Sequence, residues 1–340
     1  WILIDGGTVG GSSDLGQCRV AVAIPMAGDR CKGPAFDCVI PAHRKDFETL
    51  GRTVSSLRRF CPAVHRIVVL ASEPWPGATE HGVECVDEAA ELWPFRLADF
   101  EGCGCQPGWL FQQVLKLYAP LLVPGVAPNV LVCDADVVWL QDGLEFFEAG
   151  EAAGVRAKHC TFSSETCPPI RSAVDLHRYD AFVPASLPGL EKPRPGAESA
   201  VCHHAALQRD VLEALHARVE ASRGGQPFWT VFRDAARECG GRASEYELYH
   251  AFACAFFPGR VTCRQLPFAV VADAEAAERA PPSHGLAFLV AHSHLRGLAP
   301  EELRDREGVI NGDVGAEIAR RLAHGRPPEL AAALARSGMF

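Results

Sequence analysis

Twelve residues constrain this chain more than any others: Asn129-Val130-Leu131-Val132-Cys133-Asp134-Ala135-Asp136-Val137-Val138-Trp139-Leu140. Four apolar residues run unbroken into two aspartates, and a second short apolar run follows at once. With no polar alternation, the first run reads as a strand covered on both faces, as in the middle of an α/β sheet. Asp134 and Asp136 stand two apart, so an extended chain would point both carboxylates to one side. Two carboxylates leaving the end of a central strand offer hard oxygen ligands to a divalent cation. They also lie where open α/β sheets place ligands, at the carboxyl ends of the strands.

The rest of the composition narrows the class. The chain has 340 residues, 48% hydrophobic and 22% charged, which is ordinary globular usage and length enough for one large α/β domain or two smaller ones. A formal net charge of −9 argues against a nucleic-acid backbone as partner. It fits a protein that gathers an anionic ligand locally, through a metal or a few basic side chains. No apolar run reaches the roughly 18 residues that a membrane span needs. The chain begins at Trp1 rather than Met, so the expectation is a trimmed signal or anchor. Of 14 cysteines, Cys38, Cys133 and Cys254 fall inside apolar runs, where a thiol acts as a small hydrophobe. Cys103-Gly104-Cys105 is a lone C-x-C and reads as loop or core thiols. Asn129 and Asn311 are the only asparagines, and neither begins a glycosylation sequon.

Along the chain, Phe36–Pro41 reads as the first strand of the main domain, stopped by Pro41. Phe47, Leu50, Val54 and Leu57 recur at helical spacing, and strands at 65–71 and 83–86 complete a βαβ unit. A polar loop at 87–106 leads to a helix from Pro107 and Gly108 to Pro120. One face of that helix is apolar (Leu110, Phe111, Val114, Leu115, Tyr118); the other carries Trp109, Gln112, Gln113 and Lys116. Such a face is most simply solvated. One charge, two amides and an indole just ahead of the aspartate strand also suit a ligand. A short helix is expected at 144–149, and a proline-rich loop at 160–200 is expected to line or cover a site. Ser199–His204 reads as a strand ending on two histidines, with helices over 211–219 and 227–238. Ser244 and Glu247 form a capping box that opens a helix reaching Pro258. A strand at 261–266 and a last strand at 286–295, containing His292 and His294, precede amphipathic tail helices. Two short apolar pieces within residues 1–35 suggest one added strand.

The chemistry centres on the aspartates. The bland alternative makes one a turn cap and the other a solvated carboxylate. The chemical reading is Mn²⁺ or Mg²⁺ bound to a nucleotide diphosphate, held by protein carboxylates and phosphate oxygens. Such a cation neutralises the leaving diphosphate as a glycosyl bond breaks. His292 and His294, two apart on an expected strand, offer one imidazole as a further ligand, a mixed set that suits Mn²⁺. The plain alternative for each is a core or surface histidine.

Five segments carry a family resemblance: Val39-Ile40-Pro41-Ala42-His43, Gly108–Leu117, Val132-Cys133-Asp134-Ala135-Asp136, Cys202-His203-His204 and Ala243–Glu247. In order and spacing the chain resembles the GT-A fold nucleotide-sugar glycosyltransferases, and within them a glycosyltransferase-like family of unknown function. The resemblance implies an α/β fold with a mixed, mostly parallel sheet flanked by helices and a helical C-terminal tail. It divides the chain into an extension (1–35), a GT-A-like domain (36–298) and the tail (299–340). It implies a nucleotide sugar as donor, a glycan or other hydroxyl acceptor, and the cytoplasm or the Golgi lumen as compartment. Pro41, His43 and Arg44 would hold the nucleotide, and Lys116 would face the diphosphate. Asp134 would sit near ribose and metal, Asp136 would bind the metal, and His292 would be the late histidine ligand, with His294 in reserve. Trp109, Gln112, Gln113, His203 and His204 would line the sugar or acceptor side. Glu245, near a helix start, would deprotonate the acceptor if the reaction inverts the anomeric centre. A carboxylate resting on the helix dipole is the plain alternative for Glu245.

Two rivals remain. Asp134-Ala135-Asp136-Val137-Val138 also fits the motif of haloacid-dehalogenase-type phosphatases, where the first Asp is a nucleophile, and Gly312-Asp313 with Glu317 mimics their last acidic motif. Against this, that motif normally opens its domain, and here Lys116 and a whole βαβ region precede it. The other rival is a catalytically inactive relic that only binds a sugar nucleotide.

Overall fold

The computed structural model describes residues 33–150, 154–162, 176–271, 286–296, 298 and 309–310. The strand expected near the N-terminus and the Gly312, Asp313 and Glu317 motif lie outside the described residues, and of the expected helical tail only Val309–Ile310 is described, as a strand rather than helix.

Unbroken apolar runs build the frame. β1 (Phe36–Pro41) is buried along its whole length. α1 (Phe47–Phe60) buries Leu50, Val54 and Leu57 and returns the chain to β2 (Val64–Ala71), which pairs parallel with β1. β3 (Glu84–Asp87) adds a further parallel strand. The segment after it is less polar than it reads: Trp93, Phe95, Phe100 and Cys103 are all buried in the core. α2 (Pro107–Leu122) runs two residues past Pro120, and β4 (Asn129–Cys133) then pairs parallel with β1, Val39 opposite Val132. Alternate residues of β4 divide between two cores. Val130 and Val132 pack with α2, while Leu131 and Cys133 pack on the α1 side. Both faces are covered, which is why the run carries no polar alternation.

After β4 the chain changes sheet. β5 (Val137–Trp139) belongs to a second sheet, so Asp134 to Asp136 form a turn rather than continuing the strand. The expected helix at 144–149 is instead largely strand. β6 (Phe147–Gly150) pairs antiparallel with β7 (Gly154–Cys160). A run this short has no period to tell the two apart, and Phe146 and Phe147 are anchored by rings of Phe36. Beyond a short α3 (Phe182–Ser186), the strand around the paired histidines starts on the second of them rather than ending there: β8 (His204–Gln208) runs antiparallel to β4. Helices α4 (Arg209–Ser222), α5 (Phe228–Glu238) and α6 (Glu245–Phe256) follow. Ser244 caps α6 by accepting from the Glu247 amide at 3.2 Å. The Glu247 carboxylate does not complete the box; it is held by Ser199 at 2.7 Å and Lys192 at 3.1 Å.

The remaining strands are β9 (Val261–Arg264), β10 (Phe268–Val271), β11 (Phe288–Val290) and β12 (Val309–Ile310). The last expected strand is therefore shorter than its apolar run. It ends at Val290, and Ser293–Leu295 form a 3₁₀ turn that contains His294 and follows His292. Strand orders are β3-β2-β1-β4-β8, β12-β10-β11-β5 and β6-β7-β9. The antiparallel pairs are β4 with β8, β5 with β11, and β6 with β7; the other pairs are parallel. The result is a mixed, largely parallel α/β architecture flanked by helices.

Candidate functional site

The aspartate turn is fastened from three sides. Thr53 of α1 donates its hydroxyl to the Ala135 carbonyl at 2.8 Å. The Asp134 amide donates to the His203 carbonyl at 2.9 Å, and the Asp136 carbonyl accepts from the Ala291 amide at 2.9 Å. Because the chain turns here, the two carboxylates enter different partner sets, although both line one cavity of about 940 Å³. The cavity opens at the carboxyl ends of β1 and β4, beside the start of α6 and the end of β11. That is where a parallel sheet leaves room for a ligand, and the volume is that of a small-molecule site.

Asp134 is the hub of a buried network. Its Oδ1 accepts from Lys116 Nζ at 2.6 Å and from the Tyr246 hydroxyl at 3.2 Å. Its Oδ2 faces His203 Nδ1 at 3.1 Å. Lys116 Nζ also donates to Glu245 Oε1 at 2.8 Å and to the Tyr246 hydroxyl at 2.9 Å, so all three of its protons are engaged. Burial pushes the Asp134 carboxyl up, but the Lys116 charge and the His203 hydrogen bond overcome it and hold the group well below the usual carboxylate range. Burial likewise opposes the Lys116 charge, and the two carboxylates outweigh it, so the ammonium is held above its ordinary value. Glu245 goes the other way. Burial raises it, and Lys116 offsets this only in part.

Asp136 is placed differently. Its Oδ2 lies 3.0 Å from His292 Nδ1, and its side chain is only 14% exposed. Its Oδ1 is buried with no hydrogen-bond partner. A buried carboxylate oxygen without a donor is costly unless something positive meets it. The antiparallel pairing of Val137 with Val290 brings these two residues together. Asp136 and His292 are thus the pair best placed to share a cation, with Asp134 beside them but already engaged on both oxygens.

His203 sits between the two sets, its ring centroid 5.2 Å from that of His292. Its φ of 67° is the one positive value at a non-glycine among the described residues. A non-glycine residue held there costs roughly 1 kcal/mol or more, and such positions cluster at ligand sites.

The structure gathers most of the expected site residues. Pro41, His43, Trp109, Gln112, Gln113, Lys116, Asp134, Asp136, His203, Glu245 and His292 all line the cavity. Gln113 Oε1 accepts from the Glu245 amide at 3.1 Å, and His43 Nδ1 accepts from the Lys45 amide at 3.2 Å. Two expectations fail. Arg44 turns to solvent and meets Glu73 at 3.5 Å, leaving Lys45 and Asp46 on the cavity wall. His204 lies on the far side of its strand, buried against Trp139, Phe146 and Phe288, because successive strand residues face opposite ways. The expected role of Lys116 also changes, since its engaged protons fix two carboxylates rather than facing open space. Tyr246, Asp46, Tyr179 and Arg178 also line the cavity. Of these only Tyr246 had a visible signal, as the neighbour of Glu245 at a capped helix start. Burial and the nearby Asp136 raise the Asp46 carboxyl.

No family model matches the chain, and no curated protein matches it. Among solved structures it is similar to mouse xyloside xylosyltransferase 1 in its apo form, at 14% identity, over 69% of this chain and 87% of that chain, with a TM-score of 0.39. At that score the likeness carries no argument, and the fold assignment rests on strand order and pairing. Among the described residues two further groups could chelate a metal, Cys160 with Cys202 and His204, and His250 with Cys254 and Cys263. Neither contains Asp134 or Asp136. No described helix is long and apolar enough to cross a membrane.

Proposed function

We propose that this chain is a metal-dependent glycosyltransferase that moves a sugar from a nucleotide-diphosphate donor to a hydroxyl acceptor. The observation that carries the reading is the Asp136–His292 pair, with one buried carboxylate oxygen lacking a partner, at the carboxyl edge of a parallel sheet. A carboxylate and an imidazole side by side fit Mn²⁺, with Mg²⁺ the harder alternative. The cation would supply charge neutralisation for the departing diphosphate. Lys116 keeps Asp134 ionised and both neighbouring carboxylates fixed, and the cavity cations left to meet phosphate are Lys45 and Arg178. Trp109, 37% exposed at the rim, offers a face to a base or sugar ring. Glu245 is the carboxylate assigned to the acceptor proton, and its raised pKa brings it nearer to a working base.

One observation favours a second reading, a protein that binds a sugar nucleotide without turnover: Glu245 is paired to Lys116 at 2.8 Å and so is not free in this state. The phosphatase reading needs an Asp134 oxygen open to phosphorus, and both oxygens are engaged.

Thermal shift and calorimetry with UDP-, GDP- and CDP-sugars, with and without Mn²⁺, test the proposal. Metal-dependent binding of one of them is expected, and Asp136→Ala should abolish it. Binding retained in that variant sinks the ligand assignment. Binding of donor with no hydrolysis or transfer decides for the second reading.

A further inference from the structure

Outside the cavity lining, a second constellation contains neither aspartate. Cys160 ends β7, Cys202 lies in the turn before β8, and His204 begins that strand. All three are buried, and their Sγ, Sγ and ring nitrogen lie within 4.8 Å of one another. Three ligand atoms around a cation with metal–sulfur bonds of about 2.3 Å stand about 4 Å apart. The group is therefore close to the size of a filled site.

The histidine is prepared for a metal. His204 Nδ1 lies 2.9 Å from the Cys202 carbonyl, which can only accept, so Nδ1 carries the proton. The lone pair is then on Nε2, which is buried with no hydrogen-bond partner. A ring nitrogen fixed by a carbonyl while the other is left as a bare donor is the usual state of a metal-bound imidazole. Trp139, Phe146 and Phe288 present their rings around it at centroid distances of 5.0, 5.4 and 5.2 Å. These walls are apolar on the imidazole side, and the carbonyls of Cys160 and His204 beside the thiols already accept from Cys202 Sγ at 3.4 and 3.3 Å.

Charge and ligand softness narrow the ion. Arg264 pairs in register with Cys160, and its Nε and Nη2 are buried without hydrogen-bond partners. A buried guanidinium calls for negative charge beside it. Two thiolates, with the Glu145 carboxylate that also acts on Arg264, outweigh the one guanidinium and leave net negative charge for a cation. Soft thiolate ligands and low coordination number favour Cu(I) ahead of Zn(II).

We propose that Cys160, Cys202 and His204 bind one thiophilic d¹⁰ cation in a three-coordinate, water-free site. Binding converts both thiols to thiolates, releases two protons to solvent and involves no change of oxidation state. The site joins β7 of the third sheet to β8 of the first, and His203, next to His204, is the residue that meets Asp134. Its occupancy therefore supports the cavity without belonging to it.

The test uses the full chain, purified under reductant without chelator. Metal content is measured as isolated and after separate titration with Cu(I) and Zn(II), and X-ray absorption reads the ligand set. One ion per chain is expected, with two sulfur and one nitrogen scatterers, two protons released, and tighter retention of Cu(I). Cys202→Ala and His204→Gln should weaken binding at least about a hundredfold, while Cys263→Ser and Asp136→Ala leave it unchanged. Stoichiometric binding that survives Cys202→Ala overturns the proposal. So do an oxygen ligand in the absorption spectrum, a Cys160–Cys202 disulfide in the folded chain, or wild-type chain that takes up neither ion. The wild-type measurements decide the matter even where a variant fails to fold, and the Asp136→Ala control separates this site from the proposed nucleotide site.

Discussion

Lys116 decides the electrostatics of the cavity. Its ammonium is buried between Asp134 and Glu245, so removing it strands both carboxylates. Lys116→Met should lower stability by about 3–5 kcal/mol, the cost of breaking a buried pair from one side. The pH profile gives a sharper readout. The folded pKa of Asp134 lies below its unfolded value, so its stabilising contribution is complete above the ordinary carboxylate range and drains away as pH falls through it. Glu245 has the opposite sign. Its folded pKa is raised, so its burial costs stability as pH climbs past the ordinary value. Urea midpoints should therefore fall for the wild type below about pH 4, and that acid slope should be shallower in Lys116→Met, where His203 alone still favours the Asp134 carboxylate. An unchanged slope would mean that Lys116 does not hold Asp134. In the sequence, Asp134, Asp136 and Lys116 are legible because strand ends and helix faces are one-dimensional patterns, whereas Glu245 enters only through the family resemblance. The failure at His204 is equally physical. His204 opens β8 and faces the core, while His203, in the bend before the strand, is turned into the cavity by a left-handed φ that nothing in its side chain announces. Arg44 and Lys45 could not be ranked either, because a 3₁₀ turn rather than a strand or helix sets their directions.

At the scale of the element, α6 is the part that α2 and a cap hold in place. Ser244 Oγ accepts from the Glu247 amide and Gln113 Oε1 from the Glu245 amide, so two of the free N–H groups of the first turn are satisfied by side chains. Gln113→Leu removes one acceptor from a buried donor and should cost about 1–3 kcal/mol; Ser244→Ala should cost about 1 kcal/mol. Denaturant midpoints measure both. If α6 positions Glu245 and Tyr246, Gln113→Leu should also weaken nucleotide binding, and a variant destabilised yet binding normally would separate packing from function. Long periodic elements such as α1 and α2 were readable in the sequence. The short ones were not: Phe147–Gly150 is too brief to show a period, and Phe268–Val271 had no signal beyond being apolar. The segment at 87–106 is a loop as its sequence reads, but Trp93, Phe95 and Phe100 bury their rings in the core and fasten it there, which its polar composition hides.

Across the whole molecule, the aspartate turn is the crossing between two sheets. β4 delivers Asp134 from the first, β5 carries the chain into the second, and β11 returns His292 to the same cavity. The pairing of β5 with β11 is non-local, which is why the sequence could suggest a mixed, mostly parallel α/β fold but not its division into three sheets. Asp136 precedes β5 and His292 follows β11, so a ligand held by that pair would tie two neighbouring strands of the second sheet together where Asp134 arrives from the first. A nucleoside diphosphate and Mn²⁺ at a hundredfold excess over Kd would then add about 2.7 kcal/mol of stability. Hydrogen exchange can locate that gain. With UDP, GDP or CDP and Mn²⁺, amides at 134–137 and 289–293 should slow together, since the Ala291 amide is bonded to the Asp136 carbonyl. The β6-β7-β9 sheet should change little. EDTA should reverse the effect, and Asp136→Ala should show none of it. If the slowing persists without metal, then no cation on Asp136 and His292 holds the ligand, and if it falls on the third sheet, the cavity at the aspartate turn is not where a nucleoside diphosphate binds.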